Sequence, residues 1–488
     1  MYQFHVEPYE HQRKAFELSC ELDNYALLME MGTGKSKVIV DTACYLYSKG
    51  RINSVIIVAP KGVHSKWISH DIPMNIPPSI EYDSAVWRSG DVKSKTNCEN
   101  LFRVGNHLRV LAVNIDVFSM PKSEPVSLVK RLLNATDCML VIDESSRIKN
   151  PTAARTKTIL KLGDMAKYKR ILSGTPITNS VFDIYSQFLF LDSDIFGQSF
   201  ITFKHTYAEI LDANDPLMRT ILARGARFVP TIVAKDEFGK PRYRNLDKLQ
   251  SIIKPHSFRV RKDECLDLPP KVYEVAEYEL EGTQKRVYEE LKQKARTIVD
   301  DESVTVQHKM IMLLRLQQVI GGYIPSDDGI IKPLFEVPED NPRIKLLKEV
   351  LEDVEGQVII WARFQEEIRN LEKVFAGDCV TYYGETKNRE HALELFMTGQ
   401  VRYFIGNAAT GGIGLNLTNA STVVYYSNDF SLENRLQSED RAHRIGQHKS
   451  VTYIDLQASN TVDQRIVAAL QGKQDVANMV INFIKEDK

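Results

Sequence analysis

A glycine-rich segment, Gly32-Thr33-Gly34-Lys35-Ser36, follows a short apolar run and precedes a helical pattern. Glycines let backbone amides approach phosphate oxygens, and the N-terminus of a helix adds the positive end of its dipole. Lys35 would neutralise the β- and γ-phosphates of a nucleotide, and the Ser36 hydroxyl would take a position on Mg²⁺. A plain glycine turn is the alternative, and Met29 departs from the strict motif, which has glycine there.

An acidic pair, Asp143-Glu144, ends the apolar run that begins at Cys138. A strand that ends there would present Asp143 to Mg²⁺, and Glu144 can polarise the attacking water as a general base. Acidic pairs are common in loops, so the position in the chain matters. This pair follows the glycine-rich segment by about 110 residues, the order in which P-loop ATPases place their strand-end aspartate.

Two arginines, Arg441 and Arg444, lie three residues apart in the segment from Gln437 to Gln447. On a helix they would share one face and could reach the γ-phosphate from a second lobe. A solvated charged face is the alternative. Arginines on an opposite lobe would make hydrolysis conditional on closure, so the pattern predicts a two-lobed machine.

Two regions of the chain have the alternation that would position these residues. Short β-rich apolar runs alternate with helix-like stretches from about 20 to 190 and again from about 356 to 470, as in parallel α/β sheets. The stretch between them is rich in long helical patterns. We predict an α/β fold with domains at 1–190, 191–340 and 341–488, in which the middle region forms helical protrusions between two parallel-sheet lobes.

Composition adds broad limits. Of 488 residues, 43% are apolar and 26% charged, which is typical of globular proteins. No apolar run approaches a membrane span and no signal-peptide core is evident, so we expect no membrane association and a cytoplasmic location. The six cysteines lack C-x-x-C spacing, which argues against a disulfide framework or zinc. With a net charge of -1, nucleic-acid contact would need a local groove.

The motifs Asp-Glu-x-x-Arg-Ile-Lys-Asn and Arg-Ala-His-Arg-Ile-Gly-Gln together resemble the Swi/Snf-type branch of helicase superfamily two, whose members are ATP-driven DNA translocases. The likeness runs from Tyr9 and Gln12, similar to an adenine-reading Q motif, to Thr461–Ile466. Further blocks follow in family order: Ala59-Pro60 with Trp67, Ser173–Pro176, Trp361–Phe364, Gly384–Arg389 and Ala409–Leu417.

The resemblance implies two RecA-like lobes that use ATP and Mg²⁺ and bind double-stranded or branched DNA. The catalytic residues would be Lys35, Asp143, Glu144, Arg441 and Arg444. The nucleotide would contact Gln12, Gly32, Thr33, Gly34, Lys35, Ser36, Gly414, Arg441 and Arg444, and the metal would contact Ser36 and Asp143. The candidate DNA contacts are Lys61, Arg147, Lys149, Arg363, Arg389 and Thr410.

Several residues within the motifs need separate interpretation. Ser146 stands where the family most often has histidine, which we expect to loosen the coupling between hydrolysis and DNA binding. The hydroxyls of Ser173–Pro176 could relay the state of Glu144, although a helix cap explains that segment equally well. Trp67 and Trp361 lie within apolar sequence patterns, which favour packing in the core over stacking on bases.

We expect an ATP-dependent translocase on double-stranded DNA. One alternative is a helicase or fork-remodelling enzyme that unwinds or reanneals branched DNA. A non-catalytic DNA-binding scaffold is the other. We expect no accessory reader modules and a monomer that resembles the bare motors of bacteria and bacteriophages. The sequence leaves protein partners unknown.

Overall fold

The computed structural model describes residues 2–61, 63–177, 180–212, 214–216, 218–219, 231–236, 241–266, 268–300, 306–325, 331–411 and 415–472. The chain divides into two compact units, Met1–Leu266 and Asp267–Lys488. The boundary between them falls inside the range 191–340, for which the sequence predicted helical protrusions.

The first unit is built on a seven-stranded sheet in which every neighbouring pair is parallel. The order is β3-β4-β2-β5-β6-β1-β7. Its strands are β1 (Asn24–Met29), β2 (Ser54–Ala59), β3 (Tyr82–Val86), β4 (Leu108–Asn114), β5 (Cys138–Asp143), β6 (Tyr168–Leu172) and β7 (Ser257–Val260).

The central strands of this sheet are buried on both faces, as expected for a parallel sheet covered by helices. Successive side chains point to opposite faces, so each strand contributes to two cores. In β2, Ile56 and Val58 pack into one core, whereas Val55 and Ile57 pack into the other. The unbroken apolar runs in the sequence therefore correspond to two-sided burial.

Helices cover both faces of the sheet and fill its connections. The α-helices are Glu10–Ser19, Lys35–Ser48, Val63–Lys66, Ile72–Asn75, Val92–Asn100, Glu124–Ala135, Ala154–Gly163, Tyr185–Leu191, Phe200–Tyr207, Leu246–Ile253 and Lys262–Cys265. Short 3-10 turns are Ile115–Ser119, Ser145–Ile148, Val181–Ile184 and Lys254–His256, and a π-helix spans Trp67–Asp71.

The second unit contains a six-stranded parallel sheet in the order β12-β13-β11-β14-β15-β8, with a separate antiparallel pair, β9 and β10. Its strands are β8 (Lys271–Tyr278), β9 (Tyr323–Pro325), β10 (Ile331–Pro333), β11 (Val358–Trp361), β12 (Cys379–Tyr382), β13 (Tyr403–Gly406), β14 (Thr422–Tyr425) and β15 (Val451–Ala458).

The helices of the second unit again lie on both sides of its sheet, where Val358 and Ile360 face one core and Ile359 and Trp361 the other. They are Gly282–Asp300, Val306–Ile320, Pro342–Glu352, Gln365–Val374, Arg389–Met397, Ala408–Gly411, Leu432–Glu439 and Val462–Gln471, with a 3-10 turn at Pro338–Asp340. Among the described helices, none combines the length and apolar character that a membrane span requires.

The predicted α/β fold class with two parallel-sheet lobes is confirmed. Two strands within the range 191–340 join these sheets, because β7 pairs with β1 and β8 pairs with β15. The long helices Gly282–Asp300 and Val306–Ile320 share a core with the helix Val462–Gln471. One face of each of the two long helices therefore packs into the core of the second unit.

Arg170 of β6 ties the N-terminal helix to the first sheet. Its guanidinium is fully buried and donates to the carbonyl oxygens of Ser19, Leu22 and Asp23 at 2.7 to 2.8 Å. Burial lowers the pKa of Arg170 to about 10. The last carbonyl groups of a helix have no donor within the helix. Here the Arg170 side chain donates to carbonyls at and just after the helix end.

We expect Arg170→Met to lower the free energy of unfolding of the first unit by about 3 kcal/mol, because several buried carbonyls lose their donor. Thermal unfolding followed by tryptophan fluorescence would measure the change. Arg51→Met is the control, since it removes exposed contacts, chiefly the pair with Glu21, and should leave the midpoint almost unchanged. Equal midpoints for both variants would contradict this role of Arg170.

Candidate functional site

The glycine-rich segment forms the turn between β1 and the helix Lys35–Ser48. Gly32 and Gly34 have φ of 78° and 90°, in the left-handed region that side chains rarely adopt. A Cβ on Gly34 would also lie 2.2 Å from Gln12 Nε2. Glycine is thus required twice at position 34, by its backbone conformation and by the close approach of Gln12.

Two side chains of the N-terminal helix hold this turn from one side. His11 Nε2 lies 2.8 Å from the Thr33 carbonyl oxygen, and Gln12 Nε2 donates to the same oxygen at 3.0 Å. Gln12 Oε1 accepts from the backbone N–H of Tyr9 at 3.1 Å. The structure therefore brings Gln12 to the turn, and its role in reading adenine stays a prediction.

Lys35 begins the helix and reaches back over the turn. Its Nζ donates to the carbonyl oxygens of Met29 at 2.8 Å and Glu30 at 3.3 Å, and Thr33 Oγ1 donates to the Glu30 carbonyl at 2.7 Å. The ammonium is therefore held against the backbone where β1 ends and the turn begins. Ser36 follows at the same helix end, half-buried.

Asp143 is the last residue of β5 and its side chain is buried. Its Oδ2 accepts from Trp67 Nε1 at 2.8 Å, and its Oδ1 accepts from the Glu144 N–H at 3.0 Å. Burial raises the pKa of the Asp143 carboxyl, and the Trp67 donor and the charge of Lys35 act against that rise. The turn and the acidic pair follow strands of one parallel sheet, so they lie at the same edge of that sheet.

Trp67 is a site residue whose contact the sequence did not reveal. The prediction that Trp67 and Trp361 pack in the core is confirmed, since both are fully buried. Trp67 also lies in the π-helix Trp67–Asp71, a geometry that is rare and often found at functional sites. The available signal was chemical, because a buried indole N–H normally requires an acceptor.

Glu144 and the segment Ser173–Pro176 lie at the same edge of the sheet. Glu144 has φ of 54°, which is uncommon for a residue with a side chain. The Ser173 N–H donates to the Leu27 carbonyl at 3.2 Å, and a Cβ on Gly174 would lie 3.1 Å from the Met31 nitrogen. The segment therefore packs directly against the glycine-rich turn.

Arg441 and Arg444 of the second unit converge on one acceptor, although the helical arrangement predicted for them is wrong. The helix Leu432–Glu439 ends before them, because the chain turns so that the Leu417 N–H can donate to the Arg441 carbonyl at 3.0 Å. Arg441 Nη1 and Arg444 Nη1 both donate to the Leu415 carbonyl, at 3.3 and 3.2 Å. Their common direction thus comes from a turn and a shared carbonyl.

Buried polar contacts fix the backbone around these arginines. Gln447 Nε2 donates to the carbonyls of Thr418 and Ala420 at 3.1 and 3.0 Å, and His443 Nε2 lies 2.7 Å from the Pro269 carbonyl. Glu439 accepts from Lys271, Tyr273 and Arg435 at 2.8 to 2.9 Å. Glu439 and Gln447 both lie in the segment from Gln437 to Gln447, but the sequence indicated no separate role for either residue.

The candidate DNA-binding side chains differ in their exposure and in the contacts they make within the protein. Lys61 and Arg147 are exposed, whereas Lys149 lies 3.8 Å from the Asp183 carboxylate. Arg389 Nη2 donates to the Tyr383 carbonyl at 2.7 Å. Gly414 and the side chain of Thr410 lie outside the described residues.

Arg363 is the most enclosed of these candidates. Its guanidinium donates to Gln317 and lies over the rings of Phe430 and Phe364, at 4.4 and 5.2 Å from the ring centroids. Burial lowers its pKa. These contacts give Arg363 a structural role in joining the helix Val306–Ile320 to the end of β11.

A profile of the SNF2-related domain matches residues 11–321, and a profile of the helicase conserved C-terminal domain matches residues 342–446. The chain belongs to the SNF2-related family. It carries the SNF2-type ATPase core followed by the helicase C-terminal domain, as the motifs indicated. Membership of this ATPase family implies that the protein uses ATP.

Curated relatives cover nearly all of the chain. It is 24% identical over 469 residues to the chromodomain-helicase-DNA-binding protein 1-like of Mus musculus, which covers 93% of this chain and 47% of that protein. It is 26% identical over 492 residues to transcription regulatory protein SNF2 of Saccharomyces cerevisiae, covering 95% of this chain and 27% of that protein. The chain thus spans less than half the length of either relative.

Among solved structures, the chain is similar to the Sulfolobus solfataricus SWI2/SNF2 ATPase core in complex with dsDNA. The sequence identity is 21%, the TM-score is 0.42, and the alignment covers 100% of this chain and 94% of that chain.

We expect Trp67→Phe to lower the rate of ATP hydrolysis by about tenfold, because loss of the indole N–H frees the Asp143 carboxylate to rotate. A phosphate-release assay would measure this, with the unfolding midpoint recorded alongside. Trp87→Phe is the matched control, since Trp87 is also buried in this unit and has Lys95 over its ring. Equal rates for the two variants would show that the Trp67 hydrogen bond does not position Asp143.

Proposed function

We propose that this protein is an ATP-dependent translocase that couples ATP hydrolysis to movement on double-stranded DNA. The observation that carries the proposal is the meeting of Lys35, Asp143 and Glu144 at one edge of the first sheet, in a chain of the SNF2-related family. Lys35 would neutralise the phosphates, and Glu144 would orient the attacking water.

We also propose Mg²⁺ as the cofactor, held by Ser36 and Asp143. Carboxylate and hydroxyl oxygens are the hard ligands that Mg²⁺ prefers, and each oxygen of Asp143 accepts one hydrogen bond and so keeps a lone pair for a cation. The bound cation would neutralise charge that develops on the transferring phosphoryl group. Trp67 and the Glu144 N–H would keep the carboxylate in a fixed orientation for that purpose.

Arg441 and Arg444 would supply the remaining positive charge. Arginine forks stabilise the spread charge of a transferring phosphoryl group, and such residues typically raise turnover about a thousandfold or more. Two sets of contacts support this role before any ligand arrives. The shared Leu415 carbonyl holds both guanidiniums, and the buried contacts of Glu439 and Gln447 hold the backbone around them.

Duplex DNA is the proposed substrate along which the protein moves. Lys61 and Arg147 are exposed and directly follow β2 and the acidic pair, and the similar ATPase core of Sulfolobus solfataricus was solved in complex with dsDNA. Lysine and arginine contacts of this kind neutralise phosphates and carry no base information. Binding should therefore be salt-sensitive and largely independent of sequence.

We expect Lys35→Ala and Glu144→Gln each to lower ATP hydrolysis at least about a hundredfold, because one loses phosphate neutralisation and the other the general base. Lys49→Ala, an exposed lysine at the far end of the same helix, is the control and should hydrolyse ATP normally. The assay is phosphate release with single-stranded, duplex and branched DNA side by side, with triplex displacement as the readout of translocation.

The outcomes of this assay separate the functions. Hydrolysis at the wild-type rate in either site variant would refute the assignment of the ATP site. Strand separation of a forked substrate, together with an inert blunt duplex, would favour the fork-remodelling alternative.

Substitution of both Lys61 and Arg147 by alanine should weaken duplex binding and reduce the slope of log affinity against log salt by about 2, one unit for each lost phosphate contact. Fluorescence anisotropy across a salt series would measure the slope. Lys157→Ala, which removes an exposed charge from the helix Ala154–Gly163, should leave it unchanged. A slope equal to that of the wild type in the double variant would remove both residues from the DNA surface.

A further inference from the structure

Gln187 lies in the helix Tyr185–Leu191, and its side chain is fully buried. Its Oε1 accepts from Ser145 Oγ at 2.6 Å. Its Nε2 donates to the carbonyl oxygens of Pro176 and Asp183 at 2.6 and 2.7 Å. One planar amide therefore joins the residue after Glu144 to the end of the segment Ser173–Pro176.

The amide is suited to transmit movement between these segments. Its oxygen and both of its N–H groups have partners, which is the condition for burying such a group at low cost. A buried amide cannot exchange these partners for bulk water, so separating the segments would leave polar groups unpaired. The two segments are therefore expected to shift together.

Each end of this bridge touches a different part of the proposed motor. Ser145 opens the 3-10 turn Ser145–Ile148, which carries the exposed Arg147. At the other end, Gly174 packs against the backbone of Met31 in the phosphate-binding turn. Glu144 directly precedes Ser145 and has φ of 54°, a conformation that depends on support from its neighbours.

We propose that Gln187 is a positioning residue that couples DNA contact at Arg147 to the ATP site through Ser145 and Pro176. In this chain Ser146 stands where the Swi/Snf-type pattern most often has histidine, and the Ser145–Gln187 bridge supplies a connection between the acidic pair and Ser173–Pro176. The inference rests on the proposed function. It assigns the coupling to a side chain that touches neither nucleotide nor DNA.

The test compares ATP turnover of the full chain with and without saturating duplex DNA. Ser145→Ala and Gln187→Met should each reduce the ratio of DNA-stimulated to basal turnover about fivefold, with KM for ATP nearly unchanged. The double variant should lose no more than the more severe single variant, because both substitutions break one chain of contacts.

Ser186→Ala is the matched control. Ser186 is fully buried on the same helix, and its Oγ donates to the Ile148 carbonyl at 2.7 Å, so it anchors the same turn without contacting Ser173–Pro176. Its stimulation ratio should equal that of the wild type. An equal loss in Ser186→Ala would show that the bridge only holds the turn in place and would overturn the proposal.

Other outcomes are equally decisive. Wild-type ratios in Ser145→Ala would refute the coupling role, and this smaller substitution decides the matter if Gln187→Met does not fold. The proposal would also be refuted if ATP hydrolysis by the wild type requires Lys35 but is not stimulated by DNA, because no coupling to DNA would then exist. Failure of the proposed ATP site is distinguished by wild-type hydrolysis in Lys35→Ala.

Discussion

Parallel pairing of four neighbouring strands, in the order β2-β5-β6-β1, is the constraint on which the candidate site of the first unit depends. Parallel strands all end at the same edge of a sheet, so the segments that follow them are neighbours whatever their distance in sequence. The register places Leu27, Leu172 and Asp143 side by side. The glycine-rich turn and Ser173–Pro176 follow this row in the chain, and Asp143 itself begins the acidic pair.

Burial at this edge determines how the charged groups behave. Desolvation raises the pKa of Asp143, while a donor from Trp67 and the positive charge of Lys35 favour its ionised form. Gln187 shows the same principle with a neutral group, because a fully bonded amide is rigid where an incompletely bonded one would destabilise the core. Polar groups in this unit are therefore positioned by the same contacts that make their burial tolerable.

In the second unit, buried charged groups are positioned by pairing with groups of opposite charge. Arg435 bonds both oxygens of the Asp455 carboxylate, and its guanidinium lies 3.5 Å from the centroid of the Tyr425 ring. Burial acts to raise the pKa of Glu439, but Lys271 and Arg435 outweigh it and the net pKa is lowered. This network lies next to the turn that carries Arg441, so the backbone beneath the two arginines is held from both sides.

Much of the fold could be read from local pattern. Unbroken apolar runs of strand length indicated two parallel sheets, and the glycines indicated a tight turn before a helix, because both signals reside in neighbouring residues. The binding of phosphate at that turn stays a prediction. The helical periodicity of residues 191–340 concealed β7 and β8, which are both edge strands. β7 has only four residues, and β8 is largely exposed and has no unbroken apolar run. The turn at Arg441 was missed for a related reason: the contact with Leu417 that ends the helix is made by a residue far away in the sequence.

The sequence by itself determined the order in which the family motifs occur, and it predicted which residues would contact phosphates. Only the tertiary structure decided that the Trp67 indole bonds Asp143, that Gln12 covers Gly34, and that Gln187 bridges Ser145 and Pro176. Residue type and spacing encode what a side chain can do and the local backbone it favours. Which distant group it meets depends on strand order and register, which arise only when the whole sheet is assembled.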